Sequence, residues 1–310
     1  MFSVLLIVLP IFALIAAGWA ERVTGFLGPR TCGELNRFVV WLAFPMLLFD
    51  IVAKARWSEI WQPGFIAVFG LGMAAAFALT VWARWRSSRH LADAAVDGLN
   101  AAYGNTGFIG FPLAASVIGP AGMAPTLIAT ILTVGILFAV AMVLIEVGVQ
   151  TERNARRMLP KVARALATNP LLVAPALGGV FLAFAIPIPA PMDHFLTLLG
   201  GAASPCALVA LGLFIAEKRP GDDPSAGEVG ILTAIKLLAQ PAITWLLATQ
   251  VFALSASMTA IAVLMAMLPT GTGPFMIAEV YHREAAITAR VVLASTIASI
   301  VTITAYLSLT

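Results

Sequence analysis

Apolar residues run along this chain in blocks of about twenty, separated by short polar stretches that hold most of the charge. A helix of about twenty apolar residues crosses the ~30 Å hydrocarbon core of a bilayer. Ten such blocks can be marked, at residues 2–20, 35–53, 64–83, 92–118, 122–148, 166–187, 193–216, 230–252, 257–280 and 286–308. None shows the polar–apolar alternation over ~10 positions that marks an outer-membrane strand, so all are predicted to be helices. The fourth and ninth blocks differ from the rest. Each carries Gly, Thr and helix-breaking residues at its centre, "GNTG" at 104–107 and "PTGTG" at 269–273.

Composition agrees with spans rather than with a soluble core. Of 310 residues, 61% are hydrophobic and 11% charged, against about 25% charged in soluble domains. The placement of Lys and Arg then sets the orientation. Arg22, Arg30 and Arg37 follow the first block, and Arg84, Arg86 and Arg89 the third. Arg153, Arg156, Arg157, Lys161 and Arg164 follow the fifth, Lys218 and Arg219 the seventh, Arg283 and Arg290 the ninth. The other side carries only Lys54 and Arg56, and Lys236 lies inside a span. The basic loops are therefore expected in the cytoplasm, with both termini outside an inner (plasma) membrane. The first block lacks a basic leader, so it is expected to be a span and not a cleaved signal. Cys32 and Cys206 have no metal-ligand spacing and read as packing residues.

The two halves echo each other. Pro10, Gly18 and Pro45 recur 160 residues on as Pro170, Gly178 and Pro205. With five spans per half, the second half enters the membrane inverted, as in secondary transporters. The expected domains are 1–149 and 166–310, joined by a cytoplasmic linker at 150–165. Each half then contributes one interrupted span. Gly104, Gly107, Gly271 and Gly273 ease departure from helical dihedrals; Pro269 cannot donate the bond a continuous helix needs, and Pro274 suits a new first turn. Irregular backbone survives at membrane depth only inside protein or beside a water-filled cavity. Each break exposes N–H groups near Thr106–Phe108 and Thr272–Phe275, and a helix N-terminus attracts anions. Gly104, Asn105, Thr106, Gly107 and Phe108, with Pro269, Thr270, Gly271, Thr272, Gly273 and Pro274, are thus expected to bind a small anion, a carboxylate above all.

The segments "GNTGFIGFPL" (104–113), "LPTGTGPFMIAEVY" (268–281) and "FPMLLFDIVAK" (44–54) resemble motifs of the auxin efflux carrier family, in its prokaryotic malonate-carrier branch. The resemblance implies ten helices in two inverted five-helix repeats whose broken fourth and ninth helices cross at the binding site. That fold is akin to sodium/proton antiporters and bile-acid symporters. It also implies alternating access between a scaffold part and a panel part, with Asn105 and Pro269 at the crossover and Gly104 where auxin carriers have a proline.

Other polar residues admit two readings each. Lys236 either neutralises a carboxylate or joins proton coupling, or it snorkels to the interface. Asp97 and Asn100 read as lining a cytoplasmic approach and carrying a proton, and Asp97 reads equally as capping or solvating that end of the fourth span. Asp50, Glu146, Glu279 and His282 read as interfacial, and Trp57, Trp61, Trp82 and Trp85 as an aromatic belt. The leading function is secondary active transport of a small organic anion, a carboxylate such as a malonate-like dicarboxylate, with proton coupling and assembly as a homodimer left open and with no cofactor and no nucleic acid. A cation carrier of the same architecture ranks below it, since the fifth span from Thr126 to Ile145 has no carboxylate. A membrane enzyme ranks last: His90, His194 and His282 fall in separate loops without a nucleophile or metal partner.

Overall fold

The computed structural model describes residues 2–87, 89–150, 155–217 and 225–309, and these are helical apart from turns and one isolated bridge. In chain order, leaving aside the one-turn helix Trp57–Ile60, the helices are α1 (Phe2–Val23), α2 (Thr31–Ala53), α3 (Pro63–Arg86), α4 (Leu91–Ala102), α5 (Thr106–Val117) and α6 (Gly119–Val149). There follow α7 (Ala155–Thr168), α8 (Pro170–Ala183), α9 (Ala190–Ala216), α10 (Ala226–Val251), α11 (Ala256–Ala266), α12 (Gly273–Val280) and α13 (Ala285–Leu309). Six of them (α2, α3, α6, α9, α10 and α13) are long and apolar enough to cross a membrane; counting the bent pair α7–α8 as one span makes seven.

Prolines explain several departures from regular helix. Pro45 and Pro241 each lack the N–H that would bond back one turn, and each follows a widened π turn, Val39–Ala43 in α2 and Ile235–Ala239 in α10. The expected linker is itself helical: α7 covers most of it and continues to Thr168, where the sequence had already begun a span. The axis turns by 69° before α8. Asn169 makes that corner, its side chain accepting from the Leu171 amide at 3.0 Å ahead of Pro170. Arg153, Lys218 and Arg219 lie outside the described residues.

Small residues let helices from opposite ends of the chain close on one another. α1 packs on α9, where a Cβ added to Gly18 would stand 2.1 Å from the Val209 carbonyl oxygen, and one on Gly212 2.0 Å from that of Ile15. α8 packs on α2 in the same manner, with a Cβ on Gly178 only 2.9 Å from the Phe49 carbonyl oxygen. Such approaches replace the hydrophobic effect as the cohesive force inside lipid. α4 lies at the centre, buried at every position from Ala94 to Ala102 and covered by α3, α6, α10 and α13.

Ion pairs gather the basic loops at one end. Arg22 pairs with Glu217 at 3.3 Å, Arg89 with Glu284 at 2.7 Å, and Arg283 with Asp93 at 3.3 Å. At the other end Lys54 bridges Asp50, at 2.7 Å, and Asp193. Trp57, Trp61, Trp82 and Trp85 are exposed, as a lipid-facing belt requires. Glu146 does not reach the surface freely. It is buried and accepts the Tyr281 hydroxyl.

Candidate binding site at the crossing of two interrupted helices

Both interruptions expected from the sequence are present, and they meet. α4 stops at Ala102 and α5 starts at Thr106; α11 stops at Ala266 and α12 starts at Gly273. The two gaps pair as one antiparallel bridge between Gly104 and Thr270. The Asn105 amide donates to the Pro269 carbonyl at 2.8 Å, and the Gly271 amide to the Tyr103 carbonyl at 3.0 Å. Each broken segment thus satisfies backbone that would otherwise be stranded in the membrane interior. Thr270 is buried in this crossing. Its amide donates to Ser295 Oγ at 3.0 Å and its hydroxyl to the Asn100 carbonyl at 2.7 Å. The Asn100 side chain continues the brace, donating to Thr288 Oγ1 at 2.9 Å.

On one side of the crossing the starts of α5 and α12 border a narrow cleft. Gly104, Asn105, Thr106, Gly107 and Phe108 line it from the first break, and Gly271, Thr272 and Gly273 from the second. α2 and α6 complete the wall with Leu48, Thr130 and Val134 among others. The amides of Gly107 and Phe108, and of Thr272, Gly273 and Phe275, have no protein acceptor among the described residues. Nor has the hydroxyl of Thr106, which is fully buried. Unpaired donors in a dry wall are costly, by about 1–3 kcal/mol each, unless a ligand or water meets them. Both helix ends also bring positive potential. The cleft can therefore hold a small group rich in acceptors, and no carboxylate stands among its lining residues.

Close approach, rather than turn geometry, dictates two of the glycines. A Cβ on Gly271 would lie 2.9 Å from the Tyr103 ring, and one on Gly273 2.7 Å. Tyr103 itself is buried, tilted against Phe138 at 5.9 Å between centroids, and lines the cleft. Gly107 faces open space, with nothing within 4 Å of an added Cβ.

The remaining expected residues fall elsewhere. Pro269, Thr270 and Pro274 do not border the cleft: the groups of Pro269 and Thr270 are spent on holding the two breaks together, and Pro274 lies in the first turn of α12. Asp97 neither caps nor faces water: it is buried and paired with Arg84 at 2.6 Å. Asn100 is buried as a brace, and lines no approach. Lys236, within the π turn of α10, does not snorkel. It is fully buried on the far side of the crossing, donating to the Ala266 carbonyl at 2.7 Å. Gln240, one turn on, donates to the Ala102 carbonyl at 3.3 Å. Tyr103, Gln240 and Ser295 were not singled out by the sequence; only their closeness to a break, or the pairing of Lys236 with Gln240 at helical spacing, could have marked them.

A family model described as membrane transport protein matches residues 3–307. A protein of Rhizobium meliloti (strain 1021) bearing the name "Putative malonate transporter" is 29% identical over 314 residues, covering 98% of this chain and 94% of that protein. An uncharacterized transporter of Methanothermobacter thermautotrophicus is 26% identical over 237 residues, covering 76% of this chain and 74% of that protein. One of Methanocaldococcus jannaschii is 24% identical over 218 residues, covering 68% and 69%.

Proposed function

The chain belongs to the membrane transport protein family of the auxin efflux carriers, and from that premise we propose that it is a secondary active carrier of a small organic anion. It is a multi-pass membrane transporter and not an enzyme. The observation that carries the anion reading is the convergence of two helix starts on one cleft, whose lining residues include unpaired amides and Thr106 with its unpaired hydroxyl. Asn105 and Thr272 orient the ligand with side-chain donors. A carboxylate is the fitting group, since it offers up to four acceptor positions and one negative charge at each end of a diacid. The name of the Rhizobium relative favours a malonate-like dicarboxylate.

Transport proceeds by alternating access. The cleft measures about 20 Å³, room for one water but far below the ~300 Å³ of a small-molecule pocket. The walls must therefore part to admit substrate. α2 supplies one wall, and the crossing itself is too well bonded to be the part that yields. Ten spans in two inverted repeats, 1–149 and 166–310, are the architecture behind this motion. Two symmetric pairs support it: Gly18 against Val209 and Gly178 against Phe49 are related by the same 160-residue offset. The bond from Asn105 to Pro269 likewise mirrors that from Gly271 to Tyr103. The basic end faces the cytoplasm, with both termini outside.

Uptake of radiolabelled mono- and dicarboxylates into proteoliposomes, with and without an imposed proton gradient, tests the reading. Asn105→Ala and Thr272→Ala should each cut uptake about tenfold or more, as expected for hydrogen bonds to a charged ligand, while leaving the protein folded. Unchanged uptake in both variants would remove the site assignment.

A further inference from the structure

The side of the crossing away from the cleft has the opposite polarity. α4 ends there at Ala102 and α11 at Ala266, so two sets of terminal carbonyls converge at membrane depth. Each helix C-terminus carries about half a negative charge. Two together present roughly one unit, in a place with no bulk water to answer it. α10 passes behind and meets both ends from one face. The Lys236 ammonium donates to the Ala266 carbonyl at 2.7 Å and the Gln240 amide to the Ala102 carbonyl at 3.3 Å.

Lys236 also touches the bridge itself, its Nζ standing 3.7 Å from where a Cβ on Gly104 would be. The side chain is fully buried, and among the described residues no carboxylate forms an ion pair with it. A buried ammonium without an acid partner is costly to place in a membrane interior. The converging carbonyl ends are the counter-charge that holds it.

We propose that Lys236 is a tethered substitute for a bound monovalent cation: it supplies, from the protein, the one positive charge that the two carbonyl ends need. Gln240 is its neutral companion, satisfying the second end without adding charge. Lys236 is thus a positioning residue, locking the breaks in register so that the helix starts on the far side face the cleft. A crossing already holding its own cation has no vacancy for sodium, and the transport cycle runs without it. This rests on the carrier reading above, but its test uses no substrate, so the two fail separately.

The test is thermal unfolding of the purified protein in sodium chloride and in choline chloride at equal ionic strength. The wild type should unfold at the same temperature in both salts. Lys236→Ala removes the ammonium and leaves a cavity edged by carbonyls. It should unfold earlier than wild type in choline and recover by about 3 °C or more in a saturable manner with sodium, lithium or potassium. Lys236→Met fills the same space with apolar atoms and should not respond to any of them. Lys236→Gln keeps a neutral donor for Ala266 and serves as the second variant should the alanine form not be recovered; it too should gain a dependence on small cations. Stabilisation of the wild type by sodium would overturn the proposal. So would folded Lys236→Ala or Lys236→Gln protein that behaves alike in sodium and choline.

Discussion

Tyr103 and the two glycines facing it show how sharply the crossing is packed. A methyl group on Gly273 would meet the Tyr103 ring at 2.7 Å, well inside contact distance, and the ring is backed by Phe138. Gly273→Ala should therefore destabilise by about 1–3 kcal/mol, the usual cost of overpacking, read as a lowered unfolding temperature. Tyr103→Leu in the same protein should restore most of the loss. Gly107→Ala is the contrasting case. Nothing lies within 4 Å of the added carbon, so unfolding should be unaltered while uptake falls, because the methyl group enters the cleft. Both glycines sit in motifs visible in the sequence. Their different reasons were not visible, since Tyr103 and Gly273 are neighbours only once the two breaks have paired.

Between elements, a network of ion pairs at the basic end joins α3, α4, α10 and the turn before α13. Arg84 reaches Asp97 at 2.6 Å and Glu228 at 3.0 Å, and Arg89 joins Glu228 to Glu284. Asp97 is the most deeply placed member. Arg84→Met leaves its carboxylate buried and uncompensated, which should cost about 3–5 kcal/mol. Arg84→Met with Asp97→Asn should cost less than Arg84→Met alone, and chemical denaturation of the three proteins decides it. Glu284, outside the spans, adds a pH dependence. Burial, and then the charge of Asp97, push its pKa up to about 7 against the pull of Arg89, compared with about 4.3 when unfolded. A raised carboxyl binds its proton more tightly in the folded state. Its stabilising contribution is complete below about pH 4.3 and is lost as pH rises through about 7. Glu284→Gln, which imitates the protonated form, should therefore exceed wild type in unfolding temperature most at pH 8, the gap closing toward pH 5.

At the scale of the whole molecule, the loops after α1, α3, α9 and α12 share one end and those after α2 and α8 the other, whatever the membrane does. Which end is inside is an expectation from charge alone. Ser58→Cys, in the one-turn helix Trp57–Ile60, and Ser87→Cys, just after α3, are exposed at opposite ends. With Cys32 and Cys206 replaced by alanine, a membrane-impermeant maleimide should label Ser58→Cys on intact cells and Ser87→Cys only after lysis. The reverse pattern would invert the assigned orientation and with it the sense of the basic end.

The helical, membrane-spanning character of the chain, the two broken segments and the transporter family were legible in the sequence because they rest on local terms; of the ten apolar blocks, the described helices support six or seven spans by length and composition. Hydrocarbon transfer accumulates residue by residue, and a proline lacks its N–H wherever it stands. Even so, the linker's helix and the 69° corner at Asn169 were not legible, since a short amphipathic stretch reads equally as a loop. The division of labour at the crossing needed tertiary structure altogether. Thr270 and Thr272 are two residues apart, yet one is consumed by Asn100 and Ser295 while the other lines the cleft. Lys236 and Asp97 take their partners, the Ala266 carbonyl and Arg84, only once packing brings these to them. Side-chain role here is fixed by which polar group on another helix arrives at hydrogen-bonding distance, and that is a property of the assembled bundle rather than of any segment of chain.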